Sequence, residues 1–375
     1  MLSTAIDRRT LLAGAGALVA SGLTPKGALA LERSELLFLA AARRPDQSYA
    51  ITILSERGEI VREVPLPARG HDLAIDGRTG RAVAFARRPG TFAVAFDAAG
   101  TAEPLVFTAR PDRHFYGHGA FSADGRVLYA SENDFGAARG VVGIYDVGAG
   151  YHRIGEFPTY GIGPHELILM PDGRTLAVAN GGIETNPLYG RDKLNLATMQ
   201  PSLCFLDVAS GDLVARHTLP TDLHQLSIRH LAADATGQVW FGTQWQGSEG
   251  EQPQLLGRAR VDGEIRLADM PGADLGMLRG YIGGMAASGD GSVIAASSPP
   301  GGVVVYLDAA SGKLVGRTGV MDGSGIRAAG TGRFMVSSGS GTVVEATVGG
   351  ESLAASTLPR NFDAHLRALP AQPAA

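Results

Sequence analysis

Between residues 35 and 369 the chain repeats one unit, and its two ends carry complementary fragments of that unit. The unit is a strand, a Gly/Asp turn, a second strand, a loop, a third strand ending near Asp-x-x-x-Gly, and a fourth strand, recurring at roughly 40 to 55 residues. Its second strands follow the turns Asp124-Gly125, Asp172-Gly173, Thr236-Gly237, Asp290-Gly291 and Thr331-Gly332. Its third strands read Val141–Asp146, Ser202–Asp207 and Val303–Asp308. Period-2 alternation, β-branched residues and regularly spaced Gly/Asp turns specify sheet throughout. Complete units cover about 70–108, 117–158, 164–219, 224–267, 280–317 and 325–358. Residues 35–67 supply second, third and fourth strands without a first, and 361–369 supply a first strand alone. A stacked solenoid has no use for complementary half-repeats at its termini. A closed ring does, because joining them removes the open sheet edges. The expected fold is therefore all-β: a seven-bladed propeller closed by pairing N-terminal strands with a C-terminal strand.

Ahead of the repeats, Asp7-Arg8-Arg9-Thr10-Leu11-Leu12 and the apolar stretch Ala13–Leu23 have the form of a twin-arginine leader. Ala28-Leu29-Ala30 supplies a small-x-small cleavage sequence. The expected organisation is a signal peptide over 1–30 and a propeller over 31–375, with the mature protein in the periplasm after export in a folded state. The apolar run is too short and too rich in Gly and Ala for a membrane span. A net charge of −4 gives no basis for binding a polyanion such as nucleic acid. The single cysteine, Cys204, lies in the apolar run Leu203–Leu206 and reads as a buried strand residue, which leaves neither a disulfide framework nor a thiolate metal site.

Five of the nine histidines occupy one phase of the repeat, at the start of the first strand: His71, His118, His165, His230 and His365. In a propeller the first strand lines the central channel, and the fourth-to-first and second-to-third connections share one face. These five side chains are therefore expected on a common rim, with His224 just before its strand. Units six and seven offer Tyr281-Ile282-Gly283-Gly284 and Ser324-Gly325-Ile326 instead, which leaves one side of the ring open. Imidazoles are neutral ligands for iron, copper, zinc and nickel. The expected ligand pool is His71, His118, His165, His224, His230 and His365, with Glu132 and Glu166 as oxygen ligands or as carboxylates behind the histidines. Other residues assigned to the same face are Arg87, Arg88, His114, Asn133, Asp134, Asn180, Glu184, Gln244 and Trp245. His114 is placed on the connection leading to His118. The loop from about Asn180 to Gln200 is long enough to cover the mouth. His152 and His217 fall on fourth strands and are expected to face solvent.

Several long segments resemble a family of twin-arginine-exported bacterial propellers classified as a domain of unknown function. They are His114-Phe115-Tyr116-Gly117-His118-Gly119, Glu132-Asn133-Asp134, Gly161–Leu167, Asn180–Thr185, Lys193–Leu196, Leu223–Leu231 and Asn361–Leu366. The resemblance spans essentially all of the chain after the leader. It implies a seven-bladed propeller in the periplasm. Members tend to be encoded beside imelysin-like proteins linked to iron uptake, so it also implies a place in periplasmic iron handling and a periplasmic protein partner. It assigns no reaction and no catalytic residue.

Three functions follow from these residues. The first is a transition-metal site, iron or copper, in periplasmic metal handling. The second is a non-catalytic scaffold that presents one face to a protein partner, with Arg43-Arg44 and Arg87-Arg88 at the contact. The third is a lactonase- or quinoprotein-like enzyme in which Pro164-His165-Glu166 supplies a general base and acid.

Overall fold

The computed structural model describes residues 23–98, 100 and 102–369, so the twin-arginine segment at 7–22 lies outside the described residues. Seven antiparallel sheets follow one another along the chain. Numbered so that the closing sheet is blade one, blade two runs Gly70–Asp76, Arg81–Ala86, Phe92–Asp97 and Leu105–Thr108, and blade three Arg113–Phe121, Val127–Asp134, Arg139–Asp146 and His152–Pro158. Blade four is Pro164–Leu169, Thr175–Asn180, Ser202–Asp207 and Leu213–Thr218, and blade five Leu226–Ala233, Val239–Trp245, Leu256–Ala259 and Arg266–Leu267. Blade six is Gly284–Ala287, Val293–Ser298, Val303–Asp308 and Leu314–Gly319, and blade seven Gly323–Gly330, Arg333–Ser338, Thr342–Thr347 and Ser352–Thr357.

Blade one closes the ring as the half-repeats require. Its strands Leu37–Arg43, Tyr49–Ser55 and Ile60–Leu66 come from the N-terminal side, and the inner strand is supplied by Asn361–Phe362 and Arg367–Leu369. Ala42 pairs with Phe362, and Leu39 with Arg367. Residues 363–366 leave the ladder between those two pairs.

Sequence explains the layering within a blade. Leu203, Cys204, Phe205 and Leu206 are fully buried because both faces of a third strand pack against neighbouring blades. The fourth strand Leu213–Thr218 is largely exposed, as an outer strand is. The glycine of each second-strand turn has φ between 65° and 77°, as at Gly173 and Gly237, a left-handed conformation that side chains resist. In blade four, Asp172 tightens the same turn by accepting from the Arg174 and Thr175 amides at 2.8 and 3.0 Å.

A short helix, α1 (Pro25–Glu32), precedes the ring and rests on the outer strand of blade one. Thr24 caps it, and a Cβ on Gly27 would fall 2.1 Å from the Val61 carbonyl oxygen, so only glycine allows this approach. Ala28 and Ala30 of the small-x-small sequence are buried in this helix. No helix among the described residues is long and apolar enough to cross a membrane.

Two local expectations change. The inner strand of blade three begins at Arg113, so His114 lies in the strand and not on a connection. His217 is not solvent-facing: it is half-buried, edge-on to Phe205 with ring centroids 5.7 Å apart, while His152 is exposed.

Candidate metal centre

The inner strands of blades two to five carry a β-bulge where the repeat places its histidine. Register shifts separate Gly70 from Leu73, Phe115 from Gly119, Pro164 from Glu166 and Ile228 from His230. In blade one the excursion of residues 363–366 does the same. A bulge bends the strand and re-aims the side chain it carries. Hence His118 and His230 sit at mid-strand and not at the strand start, because backbone pairing resumes on the far side of each bulge.

The five rings converge. Their centroids are 4.6 Å apart for His71–His365 and His118–His365, 4.8 Å for His165–His230, 5.0 Å for His71–His118 and His118–His165, and 5.1 Å for His230–His365. His118 is fully buried, His71, His230 and His365 are buried, and His165 keeps partial exposure. The ligand nitrogens of His71, His118 and His165 lie within 4.8 Å of one another, as do ligand atoms of Asp72, His118 and His365. Two ligand nitrogens on opposite sides of one ion would stand about 4.2 Å apart, so modest ring adjustment closes a shell.

Carboxylates reach the histidines from the preceding blade. Asp363 of blade one lies 2.8 Å from His71 Nδ1 in blade two, and Asp72 of blade two lies 2.8 Å from His118 Nδ1 in blade three. Glu166 of blade four comes within 3.4 Å of His230 Nδ1 in blade five, a looser approach. His165 and His365 have no such partner among the described residues: Gly119 occupies the position in blade three that Asp72 holds in blade two, and His165 Nδ1 is buried without a partner. Also buried without a partner among the described residues are His118 Nε2, both ring nitrogens of His230, and His365 Nε2. Buried polar atoms are nearly always satisfied, and several orphans in one small volume mark a place that water or a bound ion would satisfy. A carboxylate that fixes Nδ1–H turns the Nε2 lone pair toward a metal, which is the arrangement metal-bound histidines adopt.

Electrostatics keep those lone pairs free. Burial lowers the His71 pKa to about 4 against the opposing bond to Asp363, and burial likewise depresses His165, His230 and His365. Neutral imidazoles are the form that binds metal. Burial pushes the Asp72 and Glu166 carboxyls up, but Arg367 and the neighbouring histidines together outweigh it and hold both down, and so ionised. Arg367 reaches Asp72 Oδ1 at 2.8 Å and Glu166 Oε1 at 2.8 Å, bridging the carboxylates behind two different histidines. Arg69 and Arg87 clamp Asp363 at 2.6 and 2.7 Å. Asp72, Asp363 and Arg367 carry no separate signal in the sequence beyond standing within two residues of a rim histidine.

Other assigned residues stand elsewhere. His224 is outside the cluster, its Nδ1 bonded to the Thr221 carbonyl at 3.0 Å. Glu132 is not a ligand: it accepts from Tyr145 Oη at 2.6 Å and pairs with Arg153 at 3.1 Å, because its side chain points into the packing between blades. His114 donates from Nδ1 to the Phe115 carbonyl at 2.9 Å, so its Nε2 accepts from Asn133 Nδ2 at 3.0 Å, and neither nitrogen is free. Asn133 also donates to the Thr185 carbonyl, tying blade three to the long loop. Asp134 pairs with Arg113 and Arg139, and Asn180 donates to the Thr159 carbonyl, so neither faces the channel chemistry. Glu184 contributes its amide to Asn195 Oδ1 at 2.7 Å. Gln244 and Trp245 line a separate cleft of about 560 Å³ on the blade five and six side, with Tyr281 and Arg279. Arg87 alone of this group supports the cluster directly, and Arg88 lines a small cleft with His114 and Arg191.

Comparison with known proteins agrees with this architecture. A family model described as "Protein of unknown function (DUF1513)" matches residues 64–369. Among solved structures, hydrazine synthase of Kuenenia stuttgartiensis is similar at a TM-score of 0.60 and 16% identity, over 80% of this chain and 89% of that one. The β-propeller domain of Myceliophteria thermophila Cps50 (Swd1) is similar at a TM-score of 0.57 and 11% identity, over 87% and 91% of the two chains. At these identities the likeness is one of fold. No curated protein matches the chain.

Proposed function

We propose that this chain, which belongs to the DUF1513 family of proteins of unknown function, binds a transition-metal ion, iron or copper, through His71, His118, His165, His230 and His365 at the mouth of the propeller channel. The observation that carries this reading is the set of five orphaned, buried imidazole nitrogens on His118, His165, His230 and His365. An all-imidazole set with carboxylates behind it suits iron and copper, and the cluster contains neither thiolate nor thioether. A bound ion would supply a positive charge that the ionised Asp72, Asp363 and Glu166 stabilise from behind the rings.

The twin-arginine leader supports a periplasmic location, and the resemblance to propellers encoded beside imelysin-like proteins supports a role in periplasmic iron or metal handling with a periplasmic protein partner. The lactonase-like reading loses its pair, since Glu166 faces His230 and Arg367 and not His165.

Elemental analysis of natively exported protein tests the reading. Wild type is expected to hold about one equivalent of iron or copper, and His118→Ala and His165→Ala to hold far less. Less than about one tenth of an equivalent in wild type, after incubation with either metal and desalting, overturns it.

A further inference from the structure

We propose a second binding position over the histidines: a site for a small, multiply charged oxyanion, carboxylate or phosphate, held by Arg88, Arg191, Lys193 and Arg229. Arg229 is the residue the bulge inserts between Ile228 and His230 in the inner strand of blade five. Its only hydrogen bond among the described residues runs from Nε to Ser227 Oγ at 3.4 Å, and no carboxylate pairs with it. Arg88 stands in the second-to-third turn of blade two and lines a cleft with His114, Thr185 and Arg191. Lys193 reaches across from the long loop to Gln246 Oε1 of blade five at 2.6 Å. The loop thus bridges blades two, three and five above the cluster.

That loop is fixed. Asn195 Nδ2 donates to the Gly182 carbonyl at 2.9 Å, the Leu194 amide to the Glu184 carbonyl at 3.0 Å, and Gln225 Nε2 to the Leu196 carbonyl at 3.3 Å. The cations are therefore held near one another by structure. Arg113, Arg153 and Arg367, by contrast, all pair with carboxylates. These four form no ion pair among the described residues, and burial first, then neighbouring arginines, with Arg88 acting on both and Arg229 on Lys193, lower Arg191 and Lys193. Clustered, partly desolvated like charges are costly without a counter-charge. Arginine forks match carboxylate and phosphate bidentately, and several such groups on one small molecule would meet all four.

None of the four belongs to the histidine cluster, so the anion site stands apart from the metal reading. Citrate and inorganic phosphate titrated calorimetrically into the full, exported, metal-stripped chain test it. Wild type is expected to bind at least one of the two, and the tighter one assigns the source as a polycarboxylate or a phosphate compound. Arg229→Gln, Arg88→Gln and Lys193→Gln are each expected to weaken binding about tenfold, the scale of one lost charge-assisted contact. Arg174→Gln on the opposite face should leave it unchanged. If Arg229→Gln abolishes the melting transition, the outlying Arg88→Gln and Lys193→Gln carry the test. Binding of neither anion by wild type, or equal binding by the variants, overturns the proposal. Metal content measured on the same samples separates its failure from failure of the metal site.

Discussion

Asp72 of blade two lies 2.8 Å from Nδ1 of His118 in blade three, and both side chains are fully buried. One blade thus orients the histidine of the next, and the same relation joins Asp363 to His71. Asp72→Asn should leave the ring in place while removing the charge that fixes its tautomer. Metal affinity, measured by competition with a chelator, is expected to fall about 10- to 100-fold. Unchanged affinity would mean that His118 does not bind metal through Nε2.

Arg367 is the shared counter-ion of Asp72 and Glu166. Arg367→Met leaves two buried carboxylates without it, and breaking a buried pair by removing one partner costs about 3–5 kcal/mol. Urea unfolding checks this, with a midpoint within error of wild type as the contrary result.

Gly117 has φ +106°, and a Cβ there would lie 2.6 Å from His71 Cδ2. Gly117→Ala should therefore both strain the backbone, by about 1–3 kcal/mol, and displace an imidazole of the cluster. Gly237 has φ +77° with nothing near its missing Cβ. Gly237→Ala should lower the melting temperature without lowering metal content, whereas Gly117→Ala should lower both.

Acid should destabilise the metal-free protein in a defined window. His71 titrates near 4 when folded, against an ordinary value of 6.5. As pH falls below 6.5 the unfolded chain takes up protons that the folded cluster refuses, so stability is intact above that value and is lost progressively toward pH 4. His165, His230 and His365 act in the same direction. The shift on His71 alone corresponds to about 3 kcal/mol. Denaturation midpoints measured from pH 7.5 to 4.5 should decline on this course and rise throughout when metal is added. A flat profile between pH 7 and 5 would contradict it.

Much of the site was legible in the chain. The phase of His71, His118, His165, His230 and His365 is a property of the repeat, and a repeat that closes into a ring converts equal phase into convergence. His224 lacked that phase by a few residues and faces elsewhere. Glu132 was misplaced because a strand residue points to one of two faces, and the register that chooses between the channel and the blade packing is set by pairing across the bulge from Phe115 to Gly119. Asp72, Asp363 and Arg367 could not be singled out, since their partners lie in other blades, up to 295 residues away in sequence.

Turn glycines, alternating strands and two complementary end fragments admit one closure, because each is a local requirement of backbone geometry or of unpaired strand edges. Tertiary structure alone decided what the ring encloses. Whether a buried histidine keeps a free nitrogen or has both satisfied, as His165 and His114 respectively do, depends on which groups strand pairing and blade packing bring within about 3 Å of the ring, and that distance is fixed only in the folded ring.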